Sequence, residues 1–148
     1  IVDHSILQKQ IKTPICLDES IYSVDDARRA IYLNACKIIN IKPGRVGGLL
    51  ESKKIHDLCK KNGVGVWCGG MLETGIGRAF NIAVSSLPNY IYPADMSPVS
   101  FFYKDDLVID SFEVDKSGFV QVPSTPGLGF TINEKKLLKY KKASIIIS

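Results

Sequence analysis

Residues 37–49 read KIINIKPGRVGGL, a short run rich in β-branched residues followed by a lysine, a proline and three glycines. Runs of this length that are apolar throughout are typical of strands covered on both faces of a parallel sheet. Three similar runs occur elsewhere in the chain, at residues 13–17 (TPICL), 64–67 (VGVW) and 90–92 (YIY). Each run is followed by a polar or glycine-rich turn and then by an amphipathic stretch, which predicts a repeated strand–helix unit.

The repeat has a nearly constant period. From Asp18 to Lys42 is 24 residues, from Lys42 to Cys68 is 26, and from Cys68 to Pro93 is 25. Strands that alternate with helices at this interval predict an α/β fold with parallel strands and right-handed crossovers. Both an open doubly wound sheet and part of a (β/α)8 barrel fit, and because a full barrel needs about 250 residues, four units would form half of one.

The stretches between the runs carry apolar residues at helical spacing. Ser23 is placed to cap the first of these helices, and Asn62 with Gly63 would end the second. From residue 96 onward the pattern changes to short β-structure, followed by a short basic helix that Asn133 would cap. The apolar positions are Val24, Ala27, Ile31 and Ala35, then Ile55, Leu58 and Cys59, then Ile76, Ala79, Phe80, Ala83 and Leu87.

Composition excludes several classes of protein. With 148 residues, 45% hydrophobic and 23% charged, the chain can bury the core of one globular domain, and its apolar runs are too short to cross the roughly 30 Å hydrocarbon layer of a membrane. Residues 134–142 hold five of the 19 basic residues and one of the 15 acidic ones, so the rest is balanced and offers no basic face to nucleic acid. The four cysteines lack metal-site spacing, which favours buried thiols in a reducing cytoplasm.

Polar residues cluster where the predicted strands end. Ligands bind at the carboxyl ends of parallel strands, so these side chains are expected to share one mouth. A carboxylate and an amine on neighbouring strands, beside a glycine-rich loop, could hold a divalent cation, move a proton and orient an anionic substrate. The candidates are Asp18 and Glu19 after the first run, Lys42 after the second, Gly69, Gly70, Met71 and Glu73 after the third, and Asp95 after the fourth.

Each candidate also has a purely structural interpretation. Asp18 with Glu19 could form a solvated turn, and the glycines could serve ordinary turns. Lys42 is harder to dismiss, because an isolated buried ammonium is costly and must reach water or a polar cavity. His4 and His56 fall on predicted helices and are interpreted as surface or interface residues without chemistry.

Four segments of the sequence are recognisable as motifs of a known family. They are residues 13–21 (TPICLDESI), 38–49 (IINIKPGRVGGL), 66–79 (VWCGGMLETGIGRA) and 122–129 (VPSTPGLG). In order and spacing they resemble the enolase superfamily. Within the superfamily, the muconate-lactonising-enzyme subgroup is most similar, particularly its o-succinylbenzoate synthase / N-acylamino acid racemase branch. The resemblance covers roughly residues 1 to 130.

This resemblance implies a fold and a role for each candidate. Residues 1–99 would form the C-terminal half, four βα units, of a TIM-like (β/α)7β barrel, and residues 100–148 would return towards an N-terminal capping domain. Asp18 would be a magnesium ligand and Lys42 the acid/base. The substrate pocket would be lined by Gly69, Gly70 and Met71, with Glu19, Glu73 and Asp95 as supporting residues.

The resemblance also implies what is missing. The family's KxK lysine pair and two further metal carboxylates would precede Ile1, so we expect this chain to be a C-terminal half that is inactive alone and binds Mg²⁺ weakly or not at all. The intact enzyme would act on a small carboxylate substrate in the cytoplasm, as a homo-oligomer. It would remove the proton α to the carboxylate and form an enediolate, leading either to o-succinylbenzoate in menaquinone biosynthesis or to racemisation of an N-acylamino acid.

Two alternatives stay open at this point. The first is another enzyme of the same subgroup, such as a dipeptide epimerase or a cycloisomerase. The second is a non-catalytic half-barrel that acts as an assembly module, because open strand edges and an uncovered inner face favour association.

Overall fold

The computed structural model describes residues 1–110 and 112–145, and within them a three-stranded parallel sheet with helices between its strands. A single 3-10 turn covers Val99–Phe101. The elements in chain order are α1 (Val2–Gln10), β1 (Cys16–Leu17), α2 (Val24–Tyr32), β2 (Ile38–Ile41), α3 (Pro43–Val46), α4 (Leu49–Lys61), β3 (Gly65–Cys68), α5 (Gly75–Ser85) and α6 (Glu134–Tyr140).

The sheet has the order β1-β2-β3 with both pairs parallel, which confirms the predicted α/β fold with helical crossovers. The register pairs Cys16 with Ile38 and Ile41 with Cys68, so the strand ends lie side by side. Because side chains alternate between the faces of a strand, the residues just after each strand can point to a common side.

The prediction of a fourth strand at residues 90–92 is wrong. This stretch forms one parallel bridge, between Tyr90 and Val66. Two backbone hydrogen bonds make it, from the Ile91 N–H to the Val66 carbonyl at 3.2 Å and from the Val66 N–H to the Asn89 carbonyl at 3.3 Å. Pro93 follows almost at once and has no N–H to donate, so the ladder cannot continue as a strand. The chain nevertheless stays beside β3, since the Asp95 N–H donates to the Cys68 carbonyl at 2.9 Å.

The predicted helix ends are confirmed. The Ser23 side chain accepts a hydrogen bond from the Asp26 N–H at 3.2 Å, and the Asn133 side chain accepts one from the Lys136 N–H at 3.1 Å. Asn62 ends α4, and Gly63 follows with a φ of 67°, a left-handed conformation that glycine adopts without strain.

Helix α3 was not predicted, because its four residues read as a glycine-rich turn. Pro43 occupies its first position, where the missing N–H costs nothing, and Gly47 ends it with a φ of 95°. This short turn of helix reverses the chain directly after β2 and brings the side chain of Arg45 back towards the sheet.

The core lies between one face of the sheet and helices α2 and α4. The β-branched residues Ile39, Ile41 and Val66 are fully buried there, together with Ile55 of α4. The opposite face carries more polar side chains, and on it the Trp67 indole N–H donates to the Cys16 sulfur at 3.2 Å.

The expectation of buried thiols holds for three of the four cysteines, which are all free. Burial raises the pKa of Cys36 to about 11 and those of Cys59 and Cys68 to about 12. Cys16 contradicts the expectation, because it is exposed on the face of β1 that points away from the core.

The placement of His56 at a surface is also wrong, since only 3% of the residue is exposed. Its Nε2 accepts a hydrogen bond from the Asn89 N–H at 3.2 Å, and its ring stacks on that of Tyr90 with 5.8 Å between centroids. His56 therefore ties α4 to the segment that runs beside β3.

In the last third of the chain, the predicted short β-structure is present only as isolated bridges among the described residues, whereas the predicted short basic helix is confirmed. Antiparallel bridges join Val108 to Ile132 and Val114 to Val120, and α6 is held by an ion pair of 2.9 Å between Lys136 and Asp105. Among the described residues, no helix is long and apolar enough to cross a membrane.

Replacing Ile39 with alanine tests the proposed core. We expect the free energy of unfolding of the full-length protein to fall by about 2–5 kcal/mol, because the change leaves a cavity in a fully buried strand. Urea denaturation followed by circular dichroism would measure the loss. The matched control is Tyr32→Ala at a residue that is 83% exposed, and a similar loss in both variants would contradict this description of the core.

Candidate active site

Asp18 and Lys42 meet at the carboxyl ends of β1 and β2. The Lys42 Nζ lies 3.0 Å from the Asp18 Oδ2, and both side chains are about three-quarters buried. The prediction that these two groups share one side of the sheet is therefore confirmed. Parallel pairing explains the contact, because it brings the residues that follow neighbouring strands to the same edge.

A second cation, Arg45, contacts the other carboxylate oxygen of Asp18. Its Nε donates to the Ile21 carbonyl at 2.9 Å and its Nη2 to the Asn40 carbonyl at 2.6 Å. Only 7% of this side chain is exposed, and desolvation by burial lowers the pKa of the guanidinium. Asp18 is thus held from both sides, in an orientation that neither strand alone would impose.

Sequence reasoning missed Arg45. The available signal was its spacing of three residues from Lys42, which puts both on one face if the intervening PGR segment is helical. With two cations to one carboxylate, the group carries an excess positive charge. Such a site favours anionic ligands at the mouth of the sheet.

Gly69 leaves the space that the Lys42 stem occupies. A Cβ at this position would lie 2.7 Å from the Lys42 Cε and 2.5 Å from the amide of Asn40, distances that real Cβ atoms do not show. Asn40 is 1% exposed, and its Oδ1 has no hydrogen-bond partner among the described residues. The glycine is therefore needed for close packing and not for a turn.

Gly70 and Met71 continue the loop after β3. A Cβ on Gly70 would lie 2.4 Å from the Asp95 carbonyl, so the segment that carries Asp95 passes directly over this glycine. The Met71 sulfur lies 3.5 Å from the Cβ position of Gly44, which places this side chain against α3, close to the end of β2.

Glu73 braces this loop from within. Its Oε2 accepts a hydrogen bond from the Met71 N–H at 2.7 Å, and its Oε1 accepts one from the Asn81 side chain at 3.3 Å. This geometry fits the supporting role that the resemblance implies.

The structure does not bring Glu19 into the Asp18 group. Glu19 is exposed, and among the described residues the polar contacts of the Asp18 carboxylate are those with Lys42 and Arg45. Asp95 is also exposed, at the rim beside Gly70. The supporting roles of Glu19 and Asp95 remain predictions.

The residues of this chain do not complete a magnesium site. Mg²⁺ takes six oxygen ligands in near-octahedral geometry, commonly one or two carboxylates with water and substrate oxygens. The described residues contain no group of three His, Cys, Asp or Glu side chains that could hold a metal ion. Asp18 is the one carboxylate of the central group. Each of its oxygens faces a cation, and each keeps a second lone pair that a metal ion could use.

A parallel α/β sheet with charged side chains gathered at the carboxyl ends of its strands is the arrangement found in α/β enzymes. Residues 1–136 match the enolase C-terminal domain-like family. The match covers most of the chain, and the chain belongs to this family. The resemblance of its motifs to the enolase superfamily is thereby confirmed.

Two relatives carry names that describe an activity. The chain is 59% identical over 140 residues to the o-succinylbenzoate synthase of Bacillus subtilis (strain 168), an alignment that covers 95% of this chain and 38% of the relative. It is 53% identical over 129 residues to an N-succinylamino acid racemase of Amycolatopsis sp, with 87% of this chain and 34% of the relative covered. The chain thus spans little more than a third of the length of these relatives.

A solved structure shares the fold. An enolase superfamily member from Listeria innocua superposes with a TM-score of 0.88 at 46% identity, covering 96% of this chain and 38% of that one.

A Gly69→Ala substitution tests the packing around Lys42. We expect the added methyl group to displace the Lys42 side chain from Asp18 and to raise the rate at which its amine reacts with acetic anhydride by about two- to fivefold, since an ion pair of this kind contributes up to about 1 kcal/mol. Mass spectrometry of the labelled peptide would measure the rate.

The matched control is Gly44→Ala, whose added Cβ would meet only the Met71 sulfur at an ordinary 3.5 Å. Equal labelling rates of Lys42 in the two variants would show that Gly69 does not confine the lysine.

Proposed function

We propose that this chain supplies one side of the active site of an enzyme of the o-succinylbenzoate synthase / N-acylamino acid racemase kind, which removes the proton α to a substrate carboxylate. The observation that carries the proposal is the group formed by Asp18, Lys42 and Arg45 at the ends of two neighbouring parallel strands. The names of the Bacillus subtilis and Amycolatopsis relatives support the choice of reaction.

The proposal includes the architecture of the longer protein. Residues 1–99 would form the second half of a (β/α)7β barrel, and residues 100–148 would return towards a capping domain. In support, the helices pack on one face of the sheet, while the other face carries the polar group and the exposed Cys16. In a closed barrel that second face would look into the interior. Self-association of the whole enzyme stays a prediction.

Lys42 is the group in this chain that can move a proton. Its amine projects from the end of β2, is partly open to solvent, and is held in place by Asp18 and by the glycine at position 69. As an ammonium it can donate a proton to a carbon on its own side of the substrate, and as an amine it can accept one. The base on the opposite side would come from outside this chain.

Magnesium would be held by Asp18 together with ligands from outside this chain. When bound, the ion would supply positive charge close to the substrate carboxylate. Arg45 keeps Asp18 in position by its hydrogen bonds to the carbonyls of Ile21 and Asn40, so that the carboxylate is oriented before any ligand arrives.

Dehydration and racemisation can share the same proton removal. In a racemase, a base from outside this chain would remove the proton on one side of the substrate and Lys42 would return a proton on the opposite side. In a synthase, a β-hydroxyl group would leave instead. Both outcomes need the groups described here. The substrate, not these residues, then decides which product forms.

Substrate assays of the full-length protein test this function. We expect turnover of the precursor of o-succinylbenzoate, of N-succinylamino acids, or of both, measured by absorbance and by polarimetry. Turnover of dipeptides alone would favour an epimerase instead. If none of these substrates reacts, the assembly-module alternative gains support.

Substitution of Lys42 by alanine should abolish hydrogen exchange at the substrate's α-carbon on one face, with a loss in kcat of at least about 1000-fold, because the proton donor is removed. Exchange in deuterated water, followed by NMR, would measure it. The matched control is Lys53→Ala on an exposed helix surface. Full turnover by the Lys42→Ala enzyme would contradict the assigned role.

Replacement of Asp18 by asparagine should weaken the binding of magnesium before it affects any other step. We expect the Mg²⁺ concentration at half-maximal activity to rise by roughly 10-fold or more, because one anionic ligand becomes neutral. A titration of activity against Mg²⁺ would measure the change, with Asp25→Asn on the exposed face of α2 as control. An unchanged Mg²⁺ requirement would exclude Asp18 as a ligand.

A further inference from the structure

Arg78 is a buried charged side chain with no counter-ion among the residues that the structure describes. It lies in the first turns of α5 and is 1% exposed. Within the same residues, its Nε and Nη2 find no hydrogen-bond partner, and no carboxylate lies within ion-pair distance of it. A guanidinium is not deprotonated in proteins, and a buried charge without a partner is strongly destabilising. An anionic group brought to this side chain would therefore remove a large penalty.

Arg78 lies between an aromatic ring and a cavity. The Phe102 ring covers one face of the guanidinium, with 5.7 Å from Cζ to the ring centroid. The side chain also lines a cavity of about 270 Å³ together with Gly70, Met71, Leu72, Asp95, Ser97 and Phe102. A cavity of this size can hold a group such as a short carboxylic acid chain, and the planar fork of an arginine matches a carboxylate.

The cavity adjoins the group around Lys42. Gly69 packs against the Lys42 stem, and the next two residues of the same loop, Gly70 and Met71, line the cavity. One substrate molecule can therefore present its reacting carbon to Lys42 and extend its other end towards Arg78.

Asp95 also lines the cavity, and its charge opposes an anion there. Asp95 is exposed to solvent, which screens its charge, whereas Arg78 is buried where electrostatic interactions are stronger. The attraction exerted by Arg78 is the larger of the two effects.

We propose that Arg78 binds a second carboxylate of the substrate, at the end remote from the carbon that loses its proton. This inference rests on the proposed function. The compounds named for the two relatives, o-succinylbenzoate and N-succinylamino acids, each carry a second carboxylate on a succinyl group. Arg78 would thus be a specificity residue that favours succinyl over uncharged acyl groups.

The test compares the N-succinyl and N-acetyl forms of one amino acid in the full-length enzyme. In Arg78→Met we expect KM for the succinyl substrate to rise by about 10- to 100-fold, as for a lost charge-assisted hydrogen bond, and KM for the acetyl substrate to change less than about threefold. Arg78→Lys, which keeps the charge, should recover part of the succinyl preference. The control is Arg28→Met at an exposed arginine, which should alter neither KM.

A binding measurement separates this inference from the proposed function. Titration calorimetry of o-succinylbenzoate, with benzoate as the monocarboxylate comparison, needs no turnover. Loss of o-succinylbenzoate binding in Arg78→Met with benzoate binding unchanged supports the inference, even if the enzyme converts none of the substrates tested. Equal increases in KM for the succinyl and acetyl substrates, or equal losses of affinity for o-succinylbenzoate and benzoate, would show that Arg78 has a structural role. Either result overturns the inference and leaves the proposed function intact.

The lysine variant covers the case in which Arg78→Met does not fold. A folded Arg78→Lys enzyme with an intermediate succinyl preference supports the inference. Equal increases in KM for the succinyl and acetyl substrates in this folded variant overturn it, because a loss shared by both substrates does not come from the succinyl carboxylate.

Discussion

The carboxylate of Asp18, held between the amine of Lys42 and the guanidinium of Arg45, is the interaction on which the mouth of the sheet depends. It joins the end of β1 to the end of β2 and to helix α3. A partly buried group of three charges is stable only when its geometry is good and its remaining polar atoms are bonded. The bonds from Arg45 to two backbone carbonyls meet that condition.

This group of three charges explains two features that lie apart in the sequence, the glycine at position 69 and the short helix α3. Glycine at position 69 leaves room for the lysine stem and the Asn40 amide, which a side chain there would displace. Helix α3 must turn immediately after β2, since only then does Arg45 reach back to Asp18. The positive excess that results suits a site for anionic substrates, and the buried Arg78 extends the same electrostatic character into the neighbouring cavity.

The sequence predicted the repeating units well because each depends on local spacing. The periodicity of the helices and the capping roles of Ser23 and Asn133 involve contacts over a few residues. The prediction of a strand at residues 90–92 was wrong because a strand depends on pairing with a distant segment. The apolar residues of this stretch are typical of a buried strand. A strand also requires a continuous series of hydrogen bonds with its neighbour, and Pro93 ends that series after one bridge.

By itself, then, the sequence determined the α/β class, three strands with the longer helices that follow them, and the positions of Asp18 and Lys42 at strand ends, since period and pattern act along the chain. Only the tertiary structure decided which groups meet there. Arg45 contacts Asp18 because residues 43–46, which the sequence pattern predicted as a turn, form helix α3. Arg78 is buried beside a cavity because segments distant in sequence pack around it. Such contacts depend on how elements fold against one another, and spacing along one chain does not encode them.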